Sequence, residues 1–308
     1  ASFEEKLLAT QSAIKEKSGP VFNGMFSYNG KKIYADILDP TDSGWDLYEV
    51  RCTLTFKPYL IDKLAFAYLL LSQQGIPISS VYVLTLNPDY RRGDELDLQR
   101  LFLKHPTYRT VKKRSSKLQN QLHEIEEILD QDIAPHVPIG EHCHRAGVCD
   151  YTWMCWNSVP DDSIFELIDM GLEKKMSLYN SGIKKMSQLS PSDLRTEAQR
   201  IQVKTYQTKL PYVQHDLLRE FLQRLVFPLS FLDLEAFQSP VPLVFGARSF
   251  EAVPFQFSLH SQTDADAELT HDSFLSHEKQ DPRRELAEKL IDFIPKSGTV
   301  VVFDHHFE

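Results

Sequence analysis

Acidic residues in two separated parts of the sequence have the spacing needed to bind a divalent cation. Asp36 lies in an apolar, strand-like stretch, and Glu49 follows 13 residues later, with Arg51 two positions beyond it. Asp233 and Glu235 form a second acidic pair near the end of the sequence. Carboxylates on neighbouring strands can jointly hold Mg²⁺ or Mn²⁺, which polarises a phosphate and activates water. The two groups therefore indicate nucleic-acid processing.

The first acidic group has the spacing of a β-hairpin. Thirteen residues are enough for two antiparallel strands to bring the carboxylates of Asp36 and Glu49 together. Residues two apart on a strand share a face, so Arg51 can reach the same phosphate or water as Glu49. An acid and a base at this spacing also occur by chance, and an exposed cross-strand ion pair is the alternative interpretation.

The second acidic group lies in a stretch that we predict to be a buried strand. Residues 227–237 are mostly apolar apart from Asp233 and Glu235, which share one strand face. Burying two charges on one face is costly unless a cation or a basic partner neutralises them. The pattern therefore favours a second metal site.

The elements that position these residues indicate an α/β protein. Alternating and apolar stretches predict strands over residues 21–26, 32–38, 45–55 and 81–86. Helical periodicity predicts helices over residues 61–74 and 113–130, with short helices between 161 and 226. Strands return over residues 227–308, around a helix at 281–294 that begins with Asp281 as cap and a first-turn proline.

Three of these stretches carry a family resemblance. The motifs Trp45-Asp-Leu-Tyr-Glu-Val-Arg51, residues 62–68 and residues 81–90 resemble the RecB-like branch of the PD-(D/E)XK nucleases. The best match is a bacterial family of unknown function that joins such a nuclease module to an exonuclease-like module, and it covers nearly the whole chain. The resemblance implies a restriction-endonuclease-like core in which Asp36, Glu49 and the Val50 carbonyl bind metal, with Tyr68 also in the site.

The sequence departs from the family pattern at two positions. The family usually has lysine where this chain has Arg51, and glutamine before the helix tyrosine, where this chain has Ala67. Arginine stays protonated and presents a planar fork, whereas the pKa of a lysine can be tuned to orient or deprotonate water. The first site is therefore expected to favour binding over catalysis unless another lysine, such as Lys57, takes that place in space.

Three evenly spaced cysteines follow the predicted core. Cys143, Cys149 and Cys155 resemble the C-terminal cysteines of iron–sulfur RecB-like and CRISPR-associated exonucleases, where a fourth cysteine before the core completes a [4Fe–4S] cluster. No cysteine precedes Cys52, which we predict to be a small core residue. The fourth ligand is then expected in a segment that precedes this sequence.

Other interpretations of the cysteines stay open. The three thiolates can bind zinc with His142 or His144 as fourth ligand. They can also hold a cluster only within a longer protein, or be a remnant that binds nothing. A further possibility is that they are buried beside Trp153 and Trp156 without any metal.

The predicted helical connector contains a possible DNA contact. The Gly182-Ile183 turn between two short helices resembles half of a helix-hairpin-helix element, whose backbone amides bind a DNA phosphate without reading sequence. Lys184 and Lys185 follow the turn and add positive charge. A packed helical hairpin without DNA contacts is the alternative.

The last part of the sequence carries a second resemblance. The strand with Asp233 and Glu235 resembles the first motif of DEDD exonucleases on an RNase H-like fold, which hold two metal ions. Residues 300–308 resemble the second motif, with Glu308 where the family often has aspartate. The third motif is not in this sequence, so we expect a partial RNase H-like module. The predicted domains are residues 1–160 (nuclease-like, with the cysteines), 161–226 (helical connector) and 227–308 (partial RNase H-like).

Composition and charge restrict the possible partners. The 308 residues carry a formal net charge of −9, which excludes a uniformly basic surface for nucleic acid. A local basic segment runs from Lys104 to Lys117, and a solvated helix face is its other interpretation. No apolar run reaches the roughly 20 residues needed to span a bilayer, and the first residues are not a signal peptide, so a cytoplasmic location is expected.

The predicted function is metal-dependent cleavage of DNA, exonucleolytic and not sequence-specific, in DNA processing or repair. The alternative is a catalytically inactive nucleic-acid-binding or scaffold protein, which Arg51, Ala67 and the partial second site support.

Overall fold

The computed structural model describes residues 2–144, 148–277 and 281–307. The chain forms two compact units, one of residues 1–129 together with 224–308, the other of residues 130–223. The expected mixture of helices and sheets is confirmed. The restriction-endonuclease-like and RNase H-like assignments stay predictions, as do the three predicted domains. The first unit combines residues 1–129 of the first predicted domain with the last three residues of the second and all of the third.

Nine strands form within the described residues, namely β1 (Val21–Tyr28), β2 (Lys31–Thr41), β3 (Gly44–Arg51), β4 (Ile78–Leu86), β5 (Phe102–Pro106), β6 (Leu229–Phe237), β7 (Val253–Gln262), β8 (Thr270–Leu275) and β9 (Thr299–Val301). The same residues form nine α-helices, namely α1 (Phe3–Glu16), α2 (Leu60–Gln73), α3 (Leu98–Leu101), α4 (Tyr108–Leu129), α5 (Thr152–Cys155), α6 (Leu172–Asn180), α7 (Glu197–Thr208), α8 (His215–Arg224) and α9 (Arg283–Phe293).

The first sheet has the order β1-β2-β3-β4-β5 and is mixed. β3 and β4 are parallel, and the other neighbours are antiparallel. Asn29 and Gly30 join β1 to β2 with φ angles of 47° and 75°, the left-handed geometry that a tight hairpin turn requires. The parallel pair needs a crossover, and α2 supplies it. The predicted hairpin of Asp36 and Glu49 is therefore present as β2 and β3.

The crossover helix packs one face onto the core of this sheet. Leu60, Leu64 and Leu71 of α2 are buried together with Val81 and Val83 of β4. These helix positions follow the three- and four-residue spacing of one helical face, which is why the segment forms a helix that covers a sheet. α2 also packs against α4, where Asp62 forms an ion pair with Arg114.

β3 is shorter than predicted. The sequence favoured a strand to residue 55, but the strand ends at Arg51 and residues 52–55 form bends. Cys52 is exposed in this segment, so its prediction as a core residue is wrong. Four elements were not predicted at all, namely the N-terminal helix α1, the short helices α3 and α5, and the short strand β5.

The second sheet has the order β8-β7-β6-β9, with β6 and β9 parallel. Its core lies on the face that packs against α9, where Leu232, Phe257, Leu259 and Leu286 are buried. The opposite face of β6 carries Phe231, Asp233 and Glu235 and is exposed. The prediction that both carboxylates sit in a strand buried on both faces is therefore wrong, because the strand alternates between a buried and an exposed face.

The second unit is helical and has a core of its own. Ile164, Leu167, Leu178, Met186 and Val203 are among its buried residues. Thr196 begins α7 with a capping box, in which its hydroxyl accepts from the Gln199 N–H and the Gln199 side chain accepts from the Thr196 N–H. This unit contains all the described residues of the cysteine segment and of the predicted helical connector up to Gln223.

Candidate active site

The hairpin places the two predicted carboxylates beside each other. The antiparallel register pairs Ile37 with Tyr48, and the next step along it sets Asp36 opposite Glu49. The backbone N–H of Val50 donates to Asp36 Oδ2 at 2.7 Å. This hydrogen bond fixes the Asp36 carboxylate against the end of β3. The strand register places both carboxylates on adjacent strands, as the sequence predicted.

Glu49 is the most buried charged group of the site. Its side chain is 3% exposed, because it lies on the face of β3 that packs towards the sheet core. Burial raises the pKa of the Glu49 carboxyl above its ordinary value, while the hydrogen bond from Lys63 opposes this rise. A carboxylate in such a place needs a cation next to it to remain ionised.

Lys63 of α2 provides a cation that sequence reasoning missed. Its Nζ donates to Glu49 Oε1 at 2.6 Å and lies 3.8 Å from Asp36 Oδ1. Lys63 is three residues after Leu60 and four before Ala67, and both of these are buried on the core-facing side of α2. A lysine within the buried stripe of a helix is thus the sequence signal that could have identified it.

Arg51 provides the second cation. Its Nη2 forms an ion pair with Glu49 Oε1, and its Nη1 lies 3.7 Å from Asp36 Oδ2. The same Nη1 donates to the Val50 carbonyl at 3.0 Å. The guanidinium therefore contacts all three groups that the sequence predicted as metal ligands. Two carboxylates and two cations balance, so the network has no net charge.

The donor set fits a hard divalent cation by its chemistry. Two carboxylates on adjacent strands and one backbone carbonyl are the oxygen ligands that Mg²⁺ and Mn²⁺ prefer, with water completing the shell. Asp36, Glu49 and Val50 would hold the ion. Among the described residues, no group of three or more His, Cys, Asp or Glu side chains has a metal-binding arrangement, so any metal here relies on two carboxylates and the carbonyl.

The other residues considered for this site have different contacts. Tyr68 packs edge-on against Tyr108 of α4, with ring centroids 6.0 Å apart, and burial raises the pKa of its hydroxyl. It has no hydrogen bond or ion pair to the carboxylates within the part of the chain described. Ala67 is buried on α2. Lys57 is exposed and forms no ion pair among the described residues, so the lysine near the carboxylates is Lys63.

The second predicted site is an open strand face. Asp233 lies opposite Ser258 and Glu235 opposite Gln256, all on strands β6 and β7. Both carboxylates are exposed. Glu308, the third acidic residue predicted there, is outside the described residues.

The three cysteines differ in exposure. Cys143 is buried, Cys155 is half-buried and Cys149 is exposed. The backbone N–H of Cys149 donates to the Cys143 carbonyl at 3.0 Å, which brings these two residues together through the main chain. The predicted [4Fe–4S] cluster and the alternative zinc site stay predictions. Trp153 is exposed, whereas Trp156 packs edge-on against His144 and Phe165.

The predicted DNA-contacting turn is present as a turn but not as a helix pair. Gly182 has a φ of 96° after α6, and only a three-residue 3₁₀ turn, Met186–Gln188, follows. Lys185 pairs with Asp162 at 3.2 Å. Lys185 is the N-cap of this 3₁₀ turn and forms an isolated bridge with Ser163, so a 3₁₀ turn rather than a second α-helix follows the glycine.

The basic segment from Lys104 to Lys117 begins in β5 and continues into α4. Arg109, Lys112 and Lys113 are exposed on α4, whereas Arg114 pairs with Asp62. Lys104 donates to the Tyr48 hydroxyl at 2.8 Å and lies 3.7 Å above the Tyr82 ring. Among the described residues, the exposed cations of α4 form no ion pairs, whereas Lys104 and Arg114 bind other parts of the fold.

Comparison with known proteins gives one match. Residues 230–308 match a domain of unknown function, DUF2779. The match covers the second sheet and α9 but not the carboxylate site of the first sheet. No curated protein and no solved structure matches the chain. Within the described residues, the helices are too short or too polar to cross a bilayer.

Proposed function

We propose that the site of Asp36 and Glu49 is a metal-dependent phosphodiesterase site that cleaves DNA. The observation that carries the proposal is the position of Lys63, whose Nζ is 2.6 Å from Glu49 and 3.8 Å from Asp36. The nuclease pattern has a lysine beside its paired carboxylates, at the position where this chain has Arg51. We infer that Lys63, which lies on α2 rather than on β3, takes the role of that lysine.

Each residue has a role that follows from its contacts. Asp36, Glu49 and the Val50 carbonyl would hold Mg²⁺ or Mn²⁺, which when bound polarises the phosphate and makes water a better nucleophile. The Val50 N–H keeps Asp36 turned towards Glu49. Lys63 is 32% exposed, so its ammonium can donate to a phosphate oxygen or orient a water while it still neutralises Glu49.

The experiment is degradation of end-labelled single-stranded and double-stranded DNA with Mg²⁺, with Mn²⁺ and with EDTA. We expect cleavage only with the metals, and its loss in Glu49→Gln and Lys63→Met. Lys57→Met is the matched control, because Lys57 is an exposed lysine from the same crossover segment. Cleavage that persists in both Glu49→Gln and Lys63→Met would refute this site.

The second candidate function is nucleic-acid binding without cleavage. It is favoured by Arg51, whose guanidinium contacts the same three groups that a metal would need. An inactive protein of this kind would bind DNA through the exposed cations of α4, with an affinity that falls steeply with salt. Absence of cleavage with both metals, together with salt-dependent binding that Arg109→Met and Lys113→Met weaken, would establish it over the nuclease.

The acidic pair of the second sheet is a weaker basis for chemistry. Asp233 and Glu235 resemble a DEDD motif, but both are exposed and a two-metal site needs further carboxylates. Asp233→Ala in the same DNA assay separates the sites: loss of cleavage there, with cleavage intact in Glu49→Gln, would move the chemistry to the second sheet.

A further inference from the structure

Arg51 is placed where it competes with a metal ion for every ligand of the proposed site. Its two terminal nitrogens reach both carboxylates, and Nη1 also donates to the Val50 carbonyl at 3.0 Å. A guanidinium is planar and presents several donors in a fixed fork, so one side chain can engage three oxygen groups together. Lysine, a single point charge, cannot match this arrangement.

The charge balance makes this competition strong. Asp36 and Glu49 are already neutralised by Arg51 and Lys63, and Glu49 is 3% exposed. A divalent cation added to the intact network would place two uncompensated positive charges in a poorly solvated site, which is unfavourable. Binding the ion therefore requires one of the two side chains to leave.

The surroundings indicate which side chain leaves. Arg51 is the last residue of β3, and exposed or half-buried bends follow it at residues 52–55. Lys63 extends from the middle of the first half of α2, whose neighbouring positions Leu60 and Leu64 are fixed in the core. The side chains of Arg51 and Lys63 are almost equally exposed, at 30% and 32%, so the difference between them is their attachment: Arg51 lies at a strand end, whereas Lys63 lies inside a packed helix.

We propose that Arg51 acts as an internal cation that occupies the metal site, so that the affinity of this chain for Mg²⁺ or Mn²⁺ is set by displacement of the Arg51 guanidinium. The inference rests on the proposed function, because it takes Asp36, Glu49 and Val50 as the metal ligands. Arg51 then determines whether Mg²⁺ or Mn²⁺ occupies the site. It does not act as a weak substitute for a catalytic lysine.

The test is Mn²⁺ binding to the full chain by isothermal titration calorimetry, without nucleic acid. We expect Arg51→Met to bind Mn²⁺ at least about tenfold more tightly than the unaltered chain, a gain of about 1.4 kcal/mol at 25 °C. Arg51→Lys is expected to be intermediate, because a shorter point charge holds fewer of the three groups. Arg195→Met is the matched control, an exposed arginine of the second unit, and is expected to leave the Mn²⁺ affinity unchanged.

Glu49→Gln assigns the binding to this site. Added to Arg51→Met, it should abolish the tight Mn²⁺ binding, which supports the proposal. If the unaltered chain binds Mn²⁺, loses it in Glu49→Gln, and Arg51→Met binds no more tightly, the competition is refuted while the metal site stands. If neither the unaltered chain nor folded Arg51→Met binds Mn²⁺, the metal site and the proposed function both fail.

Folding of the variants is checked by circular dichroism before titration. Should Arg51→Met not fold, Arg51→Lys decides, because it keeps one positive charge beside Glu49. Mn²⁺ affinity equal to that of the unaltered chain in folded Arg51→Lys would then overturn the proposal.

Discussion

Lys63→Met should destabilise the first unit by removing one of two cations from a buried carboxylate. Lys63 Nζ donates to Glu49 Oε1 at 2.6 Å and lies 3.8 Å from Asp36 Oδ1. Methionine keeps most of the length and the apolar stem of lysine but has no charge. The substitution therefore isolates the ionic contribution from the packing of α2.

The size of the effect follows from burial. A hydrogen bond to a charged group contributes about 1.5–3 kcal/mol, and breaking a fully buried ion pair costs about 3–5 kcal/mol. Lys63 is 32% exposed and Arg51 remains beside Glu49, so the lower range applies. We expect a loss of about 2 kcal/mol, or a urea midpoint lowered by roughly 0.7–1 M for m-values of about 2–3 kcal/mol/M.

The assay is urea unfolding followed by circular dichroism, with Lys57→Met as control. Substitution of the exposed Lys57 should change the free energy of unfolding by less than about 0.5 kcal/mol. A double-mutant cycle of Lys63→Met with Glu49→Gln should give a coupling energy of about 1 kcal/mol or more. The reasoning is refuted if Lys63→Met unfolds at the same urea concentration as Lys57→Met.

Two further predictions concern a strand start and a helix start. Gly44→Ala should destabilise the first sheet by about 1–3 kcal/mol, because the added Cβ would clash with the Pro77 carbonyl oxygen. Gly19→Ala is the control: its added Cβ would have no atom within 4 Å, so the free energy of unfolding in the same urea assay should be nearly unchanged. Hydrogen bonds from Arg283 hold the pKa of Asp281 below its usual 3.8, so the stabilisation is present above that pH and is lost as pH falls through the lower folded-state pKa. Urea unfolding at several pH values should show Asp281→Asn less stable than the unaltered chain near neutral pH and equally stable in strong acid.

The local order of elements around the site was predictable from the sequence. Residues 61–74 and 81–86 were predicted as helix and strand, and α2 and β4 occupy nearly these positions. The hairpin that brings Asp36 to Glu49 followed from their spacing alone, because both lie in alternating stretches joined by a short turn. Local periodicity is enough for such elements, since each is defined by residues close in sequence.

The composition of the site was less predictable, because it depends on residues distant in the sequence. Lys63 was seen only as part of a helix, and its approach to Glu49 requires the crossover to fold α2 over β3. The burial of Asp233 and Glu235 was predicted wrongly, because an apolar stretch does not tell whether one face of its strand or both are covered. The predicted end of β3 was also too late, since Cys52 and Thr53 have strand-forming neighbours but bend away.

The two cations at Glu49 have different consequences for a bound phosphate. With Arg51 and Lys63 both in place, the network of Asp36 and Glu49 has no net charge with which to attract a phosphodiester. If a divalent cation replaces Arg51, two carboxylates, one ammonium and the ion leave a net charge of +1, which matches the single negative charge of a phosphodiester. Displacement of Arg51 would then load the metal and create affinity for the substrate in one event. An active nuclease and a catalytically inactive nucleic-acid-binding protein would then differ by the free energy needed to displace the Arg51 guanidinium.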